Sequence, residues 1–312
     1  METIALQHIL NDSAWQLHSQ PQVVVLGHFD GLHTGHIHVI ERGLAYSREH
    51  NIPLGVMTFH PHPKYVFGRQ GYERYLTPLA EKERQLAKLG VDFMYVVNFD
   101  LDFARISPQQ FVEALCKLKA QHVVCGFDYR FGFQGAGTAE SLRDIGKDCF
   151  TVDIVEPFDD KGQKVSSTRI RACLDDGDMV QANHLLGRPY TITGTVIHGE
   201  KRGRAIGFPT ANVDPAEPYY IPRLGVYAVR VQVRGETYDG VLSIGLKPTF
   251  HSHILAPIIE AHLFDFDADI YDETLSVSLI AYLRSEKKFN GIQELIEQIT
   301  RDAEDARAIL RG

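Results

Sequence analysis

Hydrophobic and polar positions fall into two successive regimes along the chain. Gln22 to Leu26 is a short β-branched run that stops at Gly27, and from about Gly35 to His50 the apolar residues Ile37, Ile40, Leu44 and Ala45 recur at helical spacing. The pattern repeats as strand Leu54 to Phe59, helix Pro78 to Leu89, strand Phe93 to Val97, helix Pro108 to Lys119 and strand His122 to Gly126. Such alternation predicts an α/β fold with a doubly wound parallel sheet. Two further helices are expected at Arg169 to Asp175 and Asp178 to Leu186, after which Gly187-Arg188-Pro189 breaks the pattern. From there Tyr190 to Ile197, Gly225 to Val233, Thr237 to Ile244, Ile258 to Phe264 and Leu275 to Leu283 read as strands separated by turn residues. That half is expected to be antiparallel and to close as a small barrel, with the amphipathic stretch Asn290 to Leu310 as a covering helix. The expected domains are therefore 1–186 and 187–312.

Length agrees with two cores, since 312 residues exceed what one core usually organises. A content of 44% hydrophobic and 23% charged residues excludes disorder as a general description. The opening METIALQHILND has no cationic lead into an apolar block, and no apolar run reaches the roughly eighteen residues of a membrane helix. A cytoplasmic protein without membrane partners is expected. Cys116, Cys125, Cys149 and Cys173 are widely spaced and read as buried free thiols. A net charge of −8 and a pI near 6.0 disfavour long nucleic acid as a partner, while small phosphorylated ligands stay compatible. Oligomeric state is not legible.

The stretch from Gly27 to His36, Gly-His-Phe-Asp-Gly-Leu-His-Thr-Gly-His, lies between the first strand and first helix. Unpaired amides and the positive dipole end of a helix start attract phosphate there, and glycines admit a ligand to the backbone. His33 and His36 are three apart and share a face of the first turn, where imidazoles can stabilise oxygens that gain charge in a nucleotidyl transfer. A plain surface histidine pair, or a metal cluster with His28 and His38, are the alternatives. Farther on, Ser166-Ser167-Thr168 precedes a helical stretch, so its hydroxyls with Arg169 and Arg171 can hold outer phosphates of ATP, or act only as a helix cap.

His33-Thr34-Gly35-His36 is similar to the His-x-Gly-His signature of nucleotidyltransferases, and the longer stretch resembles that of prokaryotic bifunctional FAD synthetases. Class I aminoacyl-tRNA synthetases carry a related signature, but the chain is short for them and has no Lys-Met-Ser-Lys-Ser-like loop. The resemblance continues at Phe59-His60-Pro61-His62-Pro63, at Gly126 to Gly132 and at Val165 to Arg171. It implies a nucleotidyltransferase-like domain that adenylylates FMN, with Gly27, Phe29, Asp30, His33, His36, Ser167, Thr168, Arg169 and Arg171 on ATP. It also implies His62, Asp128, Arg130 and Phe131 on the flavin substrate.

Gly199 to Asn212 is a second stretch rich in glycine and base, this time between strands, and it is not a Walker loop. Backbone donors can wrap phosphate there, and Thr210 and Asn212 offer hard oxygen ligands suited to Mg²⁺; a charged hairpin loop is the alternative. Gly207-Phe208-Pro209-Thr210-Ala211-Asn212 resembles the flavokinase motif, followed in family order by Ile221-Pro222, Gly225-Val226-Tyr227, Pro248-Thr249-Phe250 and Glu260-Ala261-His262. The resemblance implies a riboflavin kinase-like barrel with Glu260 as catalytic carboxylate, and Gly199, Gly203, Arg204, Gly207, Phe208, Pro209 and Thr210 around ATP. Asp265, Asp267 and Asp269 do not make a calcium loop, because Ile270 and Ser276 occupy its glycine and glutamate positions.

The resemblance thus implies a two-step transferase that phosphorylates riboflavin and adenylylates FMN to FAD, with riboflavin, FMN and ATP as substrates. Departures from the pattern stand at His28, where asparagine is common, at Ser243, at Asp272, where glycine is usual, and in the loop Gln134 to Thr138, which lacks a basic residue. They keep open a chain with only one of the two activities, or a non-catalytic flavin- or RNA-binding regulator.

Overall fold

A computed structural model describes residues 1–7, 15, 20–199, 203, 206–249 and 252–311. The chain divides into two compact units, Met1–Ser166 and Ser167–Gly312.

The first unit runs β1 (Glu2–Leu6), β2 (Gln22–Leu26), α1 (Thr34–His50), β3 (Leu54–His60), α2 (Pro63–Val66), α3 (Leu79–Leu89), β4 (Phe93–Asn98), α4 (Pro108–Lys117) and β5 (Ala120–Gly126). There follow the short strands β6 (Arg130–Phe131) and β7 (Gly137–Thr138), α5 (Ala139–Gly146), β8 (Thr151–Val155) and the hairpin strands β9 (Asp159–Asp160) and β10 (Gln163–Lys164). Six strands form one parallel sheet in the order β1-β4-β3-β2-β5-β8. The chain therefore winds outward from β2 in one direction and returns to wind in the other, which makes the β2/β5 boundary the switch point of the sheet.

Alternation along β2 explains its central place. Val23 and Val25 enter one core with Ile40, Leu44, Leu54 and Val56, while Val24 and Leu26 enter the opposite core with Met57, Phe111 and Leu115. Gly43 brings α1 close onto this sheet, since a Cβ there would stand 2.6 Å from Val25 Cγ2 and 2.8 Å from Leu54 Cδ1. The polar start of β2 is absorbed internally: Gln22 donates to the Leu118 carbonyl at 2.6 Å and accepts from the Tyr95 hydroxyl at 2.8 Å. Cys116 and Cys149 form a disulfide between the end of α4 and the approach to β8, correcting the reading of these two as free thiols; Cys125 and Cys173 are free. The two sulfurs meet across 33 residues that include β5 and α5, which spacing alone does not reveal.

The second unit begins with α6 (Ser167–Asp176) and α7 (Met179–Leu186) and continues as β11 (Tyr190–Ile197), β12 (Ala211–Pro215), β13 (Gly225–Val233), β14 (Glu236–Thr249), β15 (Ser252–Leu263), β16 (Thr274–Arg284) and α8 (Ile292–Arg311). The six strands close an antiparallel barrel in the order β11-β12-β15-β14-β13-β16. Ala306 and Leu310 of α8 pack on Ala228 and Phe264, so the last helix covers the barrel as its amphipathic pattern predicts.

The compact units meet twenty residues earlier than the expected boundary at 186/187. Asn183 of α7 donates to the Leu279 carbonyl at 2.8 Å and accepts from the Tyr190 amide at 2.7 Å, and the Arg223 amide donates to the Leu174 carbonyl of α6. Those bonds tie both helices to the barrel strands. Strands β1, β8 and β12 and helix α5 were not legible in the sequence; β12, Ala-Asn-Val-Asp-Pro, has little β-propensity and exists because β11 and β15 need a partner.

Asp272 lies in the left-handed region, φ +63°, just before β16. Glycine adopts this conformation without the steric cost that aspartate bears. Asp272→Gly should therefore raise the unfolding free energy of the barrel unit by about 0.5 kcal/mol in urea titration, whereas Asp272→Val should lower it by about 1–2 kcal/mol.

Candidate active sites

The turn after β2 is tightly wound. Phe29, Gly31 and Leu32 all have positive φ, +50°, +96° and +42°, and the Phe29 ring lies where a Cβ on Gly27 would stand, 2.7 Å from its nearest atom. Bulky residues persist in this region only when their surroundings over-determine them, a condition concentrated at functional sites. Asp30 supplies one restraint: it is buried, and its Oδ1 accepts from the Leu76 and Thr77 amides at 2.9 and 3.2 Å. Through these bonds Asp30 belongs to the framework of the turn.

His33 is the N-cap of α1, its Nδ1 accepting from the His36 amide at 3.2 Å. The rings of His33 and His36 stack with centroids 3.6 Å apart, and Phe29 meets His36 edge-on. His36 Nδ1 is buried and has no hydrogen-bond partner. Burial, reinforced by the neighbouring His33, Lys82, His28 and Lys164, holds His36 well below the ordinary imidazole range, so it is neutral. His28, one of the departures from the resemblance, stacks on His62 at 5.0 Å and tilts against Phe59. The protein packed around His28, and after it His62, Lys82 and Lys64, lowers it below the ordinary imidazole range.

An apolar cavity of about 190 Å³ adjoins this turn, walled by His28 and by Phe59, Phe67, Phe99, Phe103 and Phe111 among others. Arg130 and Phe131, expected on the flavin, line it. His62 caps the short α2, its Nδ1 accepting from the Lys64 amide at 3.1 Å, and touches the cavity through the His28 stack. Asp128 is engaged with the Lys164 ammonium. The five phenylalanines are not legible as a group because they come from a strand, two connections and a helix; the aromatic residues after β3 and β4 are the available signal. Gln134 and Gly135 of the loop without a basic residue also line the cavity.

Ser167, Thr168, Arg169 and Arg171 open α6 and belong to the second compact unit; the Arg171 guanidinium lies 5.2 Å from the Tyr220 ring centroid.

The barrel holds a larger cavity, about 390 Å³, lined by Gly203, Phe208, Thr210, Asn212, Ser243 and Glu260 on one side and by residues of β16 and α8 on the other. Register explains the first wall. Asn212 of β12 faces Glu260 of β15, and Glu260 faces Ser243 of β14, so three polar side chains form a row across adjacent strands. His262, two residues beyond Glu260, donates from Nδ1 to the Pro209 carbonyl at 2.7 Å and fastens the Gly207 to Thr210 turn, in which Gly207 has φ +86°. Close approach also fixes Asn212: a Cβ at Gly199 would lie 2.1 Å from its Nδ2. Arg204, with Glu200 to Arg202 and Ala205, lies outside the described residues. On the opposite wall Arg284 makes a two-pronged ion pair with buried Asp302 of α8, at 2.7 and 2.8 Å, which the sequence reading did not anticipate.

Among the described residues no group of three or more His, Cys, Asp or Glu side chains is placed to hold a metal, which removes the histidine-cluster alternative there. No helix among them is long and apolar enough to cross a membrane.

Comparison with known proteins gives two family matches, FAD synthetase over residues 16–169 and riboflavin kinase over residues 186–310. The chain is 44% identical to the bifunctional riboflavin kinase/FMN adenylyltransferase of Listeria monocytogenes, covering 99% of this chain and 98% of that one. It is 46% identical to the protein of that name from Bacillus subtilis and 38% to that from Escherichia coli, each over 91% of both chains. A crystal structure titled as a macrolide-efflux protein from Streptococcus pneumoniae superposes with a TM-score of 0.89 at 35% identity, over 98% of each chain.

A neutral His36 sets a sign for pH dependence. Below its ordinary 6.5 the unfolded chain binds a proton that the folded chain refuses, so this contribution to stability is complete above 6.5 and is lost as pH falls. Urea titration of the first unit should show stability declining between about pH 7 and about pH 5, with a slope approaching 1.4 kcal/mol per pH unit per buried imidazole. His36→Asn should remove one imidazole's share of that slope and leave the share of His28.

Proposed function

The chain belongs to the bifunctional riboflavin kinase/FMN adenylyltransferase family, and from that premise we propose that it phosphorylates riboflavin in the barrel and adenylylates FMN in the α/β unit. The observation that carries this reading is the presence of two separate cavities, each beside a tightly restrained glycine turn.

In the kinase half, Glu260 accepts the proton of the riboflavin 5′-hydroxyl as its oxygen bonds to the γ-phosphorus of ATP; the bond from that phosphorus to the β-bridging oxygen breaks and ADP leaves. Gly199, Gly203, Arg204, Gly207, Phe208 and Pro209 form the phosphate-side turn. The Thr210 hydroxyl and Asn212 amide oxygen suit Mg²⁺, and the Asn212 side chain is seated in the space a Cβ at Gly199 would take. Bound there, Mg²⁺ neutralises charge on the phosphates. Ser243 and Asp272 are compatible with activity, the first as part of the Glu260 row and the second as a turn residue.

In the adenylyltransferase half, a phosphate oxygen of FMN attacks the α-phosphorus of ATP, and the bond to the pyrophosphate group breaks. His33 and His36, uncharged and at the N-terminus of α1, stabilise the oxygens that gain charge. Gly27 and Phe29 shape that turn, and Ser167, Thr168, Arg169 and Arg171 supply donors to ATP. The aromatic cavity accepts the flavin ring, with His62, Asp128, Arg130 and Phe131 at its margin. In this reading the functional domains are 1–186 and 187–312, and the enzyme works in the cytoplasm on small molecules without nucleic acid. The intact polar row and the match to both family models argue against a single retained activity and against a non-catalytic regulator.

Purified protein given Mg·ATP and riboflavin should form FMN and then FAD by chromatography. Glu260→Gln should cut riboflavin phosphorylation by about 10²–10⁴-fold while leaving FAD formation from FMN intact. His36→Ala should do the reverse; FMN accumulating alone in the unmodified protein would refute the adenylyltransferase half.

A further inference from the structure

We propose that Lys82 is a positioning residue for adenylyl transfer, locking the turn after β2 to β3 at the switch point of the sheet and thereby fixing His33 and His36 in place. The inference rests on the adenylyltransferase reading above. Lysine is almost never fully buried unless it is paired. Lys82, on α3, is only 5% exposed. Its Nζ donates to the His28 carbonyl at 2.7 Å and to Thr58 Oγ1 at 2.8 Å, and Thr58 Oγ1 itself donates to the same carbonyl at 2.8 Å. Three groups from α3, β3 and the turn after β2 thus close a triangle of hydrogen bonds, two of them charge-assisted.

The placement of this triangle gives it a purpose. His28 is the residue immediately before Phe29, the first of the three positive-φ residues, and His33 caps α1 four positions after Phe29. The peptide that Lys82 grips is therefore the entry to the strained turn, while Asp30 secures its middle through the Leu76 and Thr77 amides. A turn held at entry and middle delivers the cap histidine in one orientation, which is what a transfer reaction governed by placement requires.

The ammonium also acts through its field. It faces His28 and His36 together with His33 from α1, His62 and Lys64 around α2, and Lys164 from β10, itself engaged with Asp128. Burial first, and Lys82 beside it, lowers His28 and His36, and the ammonium adds positive potential for a polyphosphate.

The test uses the full-length protein with Lys82→Met, Lys82→Arg and Thr58→Val, following FAD formation from FMN and ATP, FMN formation from riboflavin, and the NMR titration of histidine rings without ligand. Lys82→Met should lower kcat for FAD formation about a hundredfold with a smaller change in KM, and the titrations of His28 and His36 should move up toward 6.5. Riboflavin phosphorylation should persist, Lys82→Arg should recover part of the lost kcat, and Thr58→Val should lower kcat about tenfold with histidine titrations unmoved. Histidines that titrate in Lys82→Met as in the unmodified protein, or an unchanged kcat, would overturn the proposal. If Lys82→Met does not fold, an undiminished kcat in Thr58→Val overturns it instead. Should the unmodified protein make no FAD, the adenylyltransferase reading falls, and the histidine titrations still judge the clamp by themselves.

Discussion

Strand β2 has no solvent face. Each of its five residues is buried, and the alternation of Val23 and Val25 against Val24 and Leu26 commits one pair to each core. A shift of one residue would exchange the two sets of packing partners, so the register of β2 is strongly specified. That register decides where Gly27 begins, and the strand order decides what lies above it. With β3 on one side and β5 on the other, the carboxyl end of β2 opens at the switch point, where a crevice is available to a ligand. The turn, the helix start and the histidine cap are consequences of that placement.

The barrel reaches a comparable result by other means. The side chains of its polar row are aligned by cross-strand pairing. Once β12 fills the gap between β11 and β15, Asn212 must face Glu260, and β14 brings Ser243 to the other side of the same carboxylate. Barrel closure is thus a precondition for the site. In both units a histidine fixes a backbone group by its Nδ1: His33 accepts from an amide at the start of α1, and His262 donates to the Pro209 carbonyl. Each leaves the neighbouring functional group, His36 or Thr210, with a defined backbone from which to project.

Local features of these sites were legible in the sequence and composite ones were not. The β2 to α1 unit could be read because the apolar run, the glycines and the His33–His36 spacing are contiguous. The aromatic cavity draws Phe59 from β3, Phe67 from the α2–α3 connection, Phe99 and Phe103 from the β4–α4 connection and Phe111 from α4, so no window of sequence contains it. Asp30 has partners that no local window shows, because its carboxylate accepts from amides 46 and 47 residues away. Arg284 and Asp302 pair between a strand and the last helix, and the strand β12 depends on its neighbours, so neither carries a local signal. The motifs Ser167 to Arg171 show a further limit, since sequence continuity assigned them to the first half while hydrogen bonds of α6 and α7 assign them to the second unit.

In the proposed adenylyl transfer, the lowered protonation of His28 and His36 would have a catalytic meaning. A permanently charged histidine at the α1 N-terminus would bind a polyphosphate strongly before reaction, which stabilises the ground state along with the transition state. Here the positive potential comes from groups whose charge does not change, Lys82 beneath the turn, Lys64 near α2 and Lys164 on β10, together with the dipole of α1. The imidazoles are left to act as short-range hydrogen-bonding groups, whose interaction strengthens as charge develops on the oxygens they meet. Under the proposed reaction, separating the source of potential from the groups that sense reaction would let the site attract its substrate and still distinguish the transition state from it.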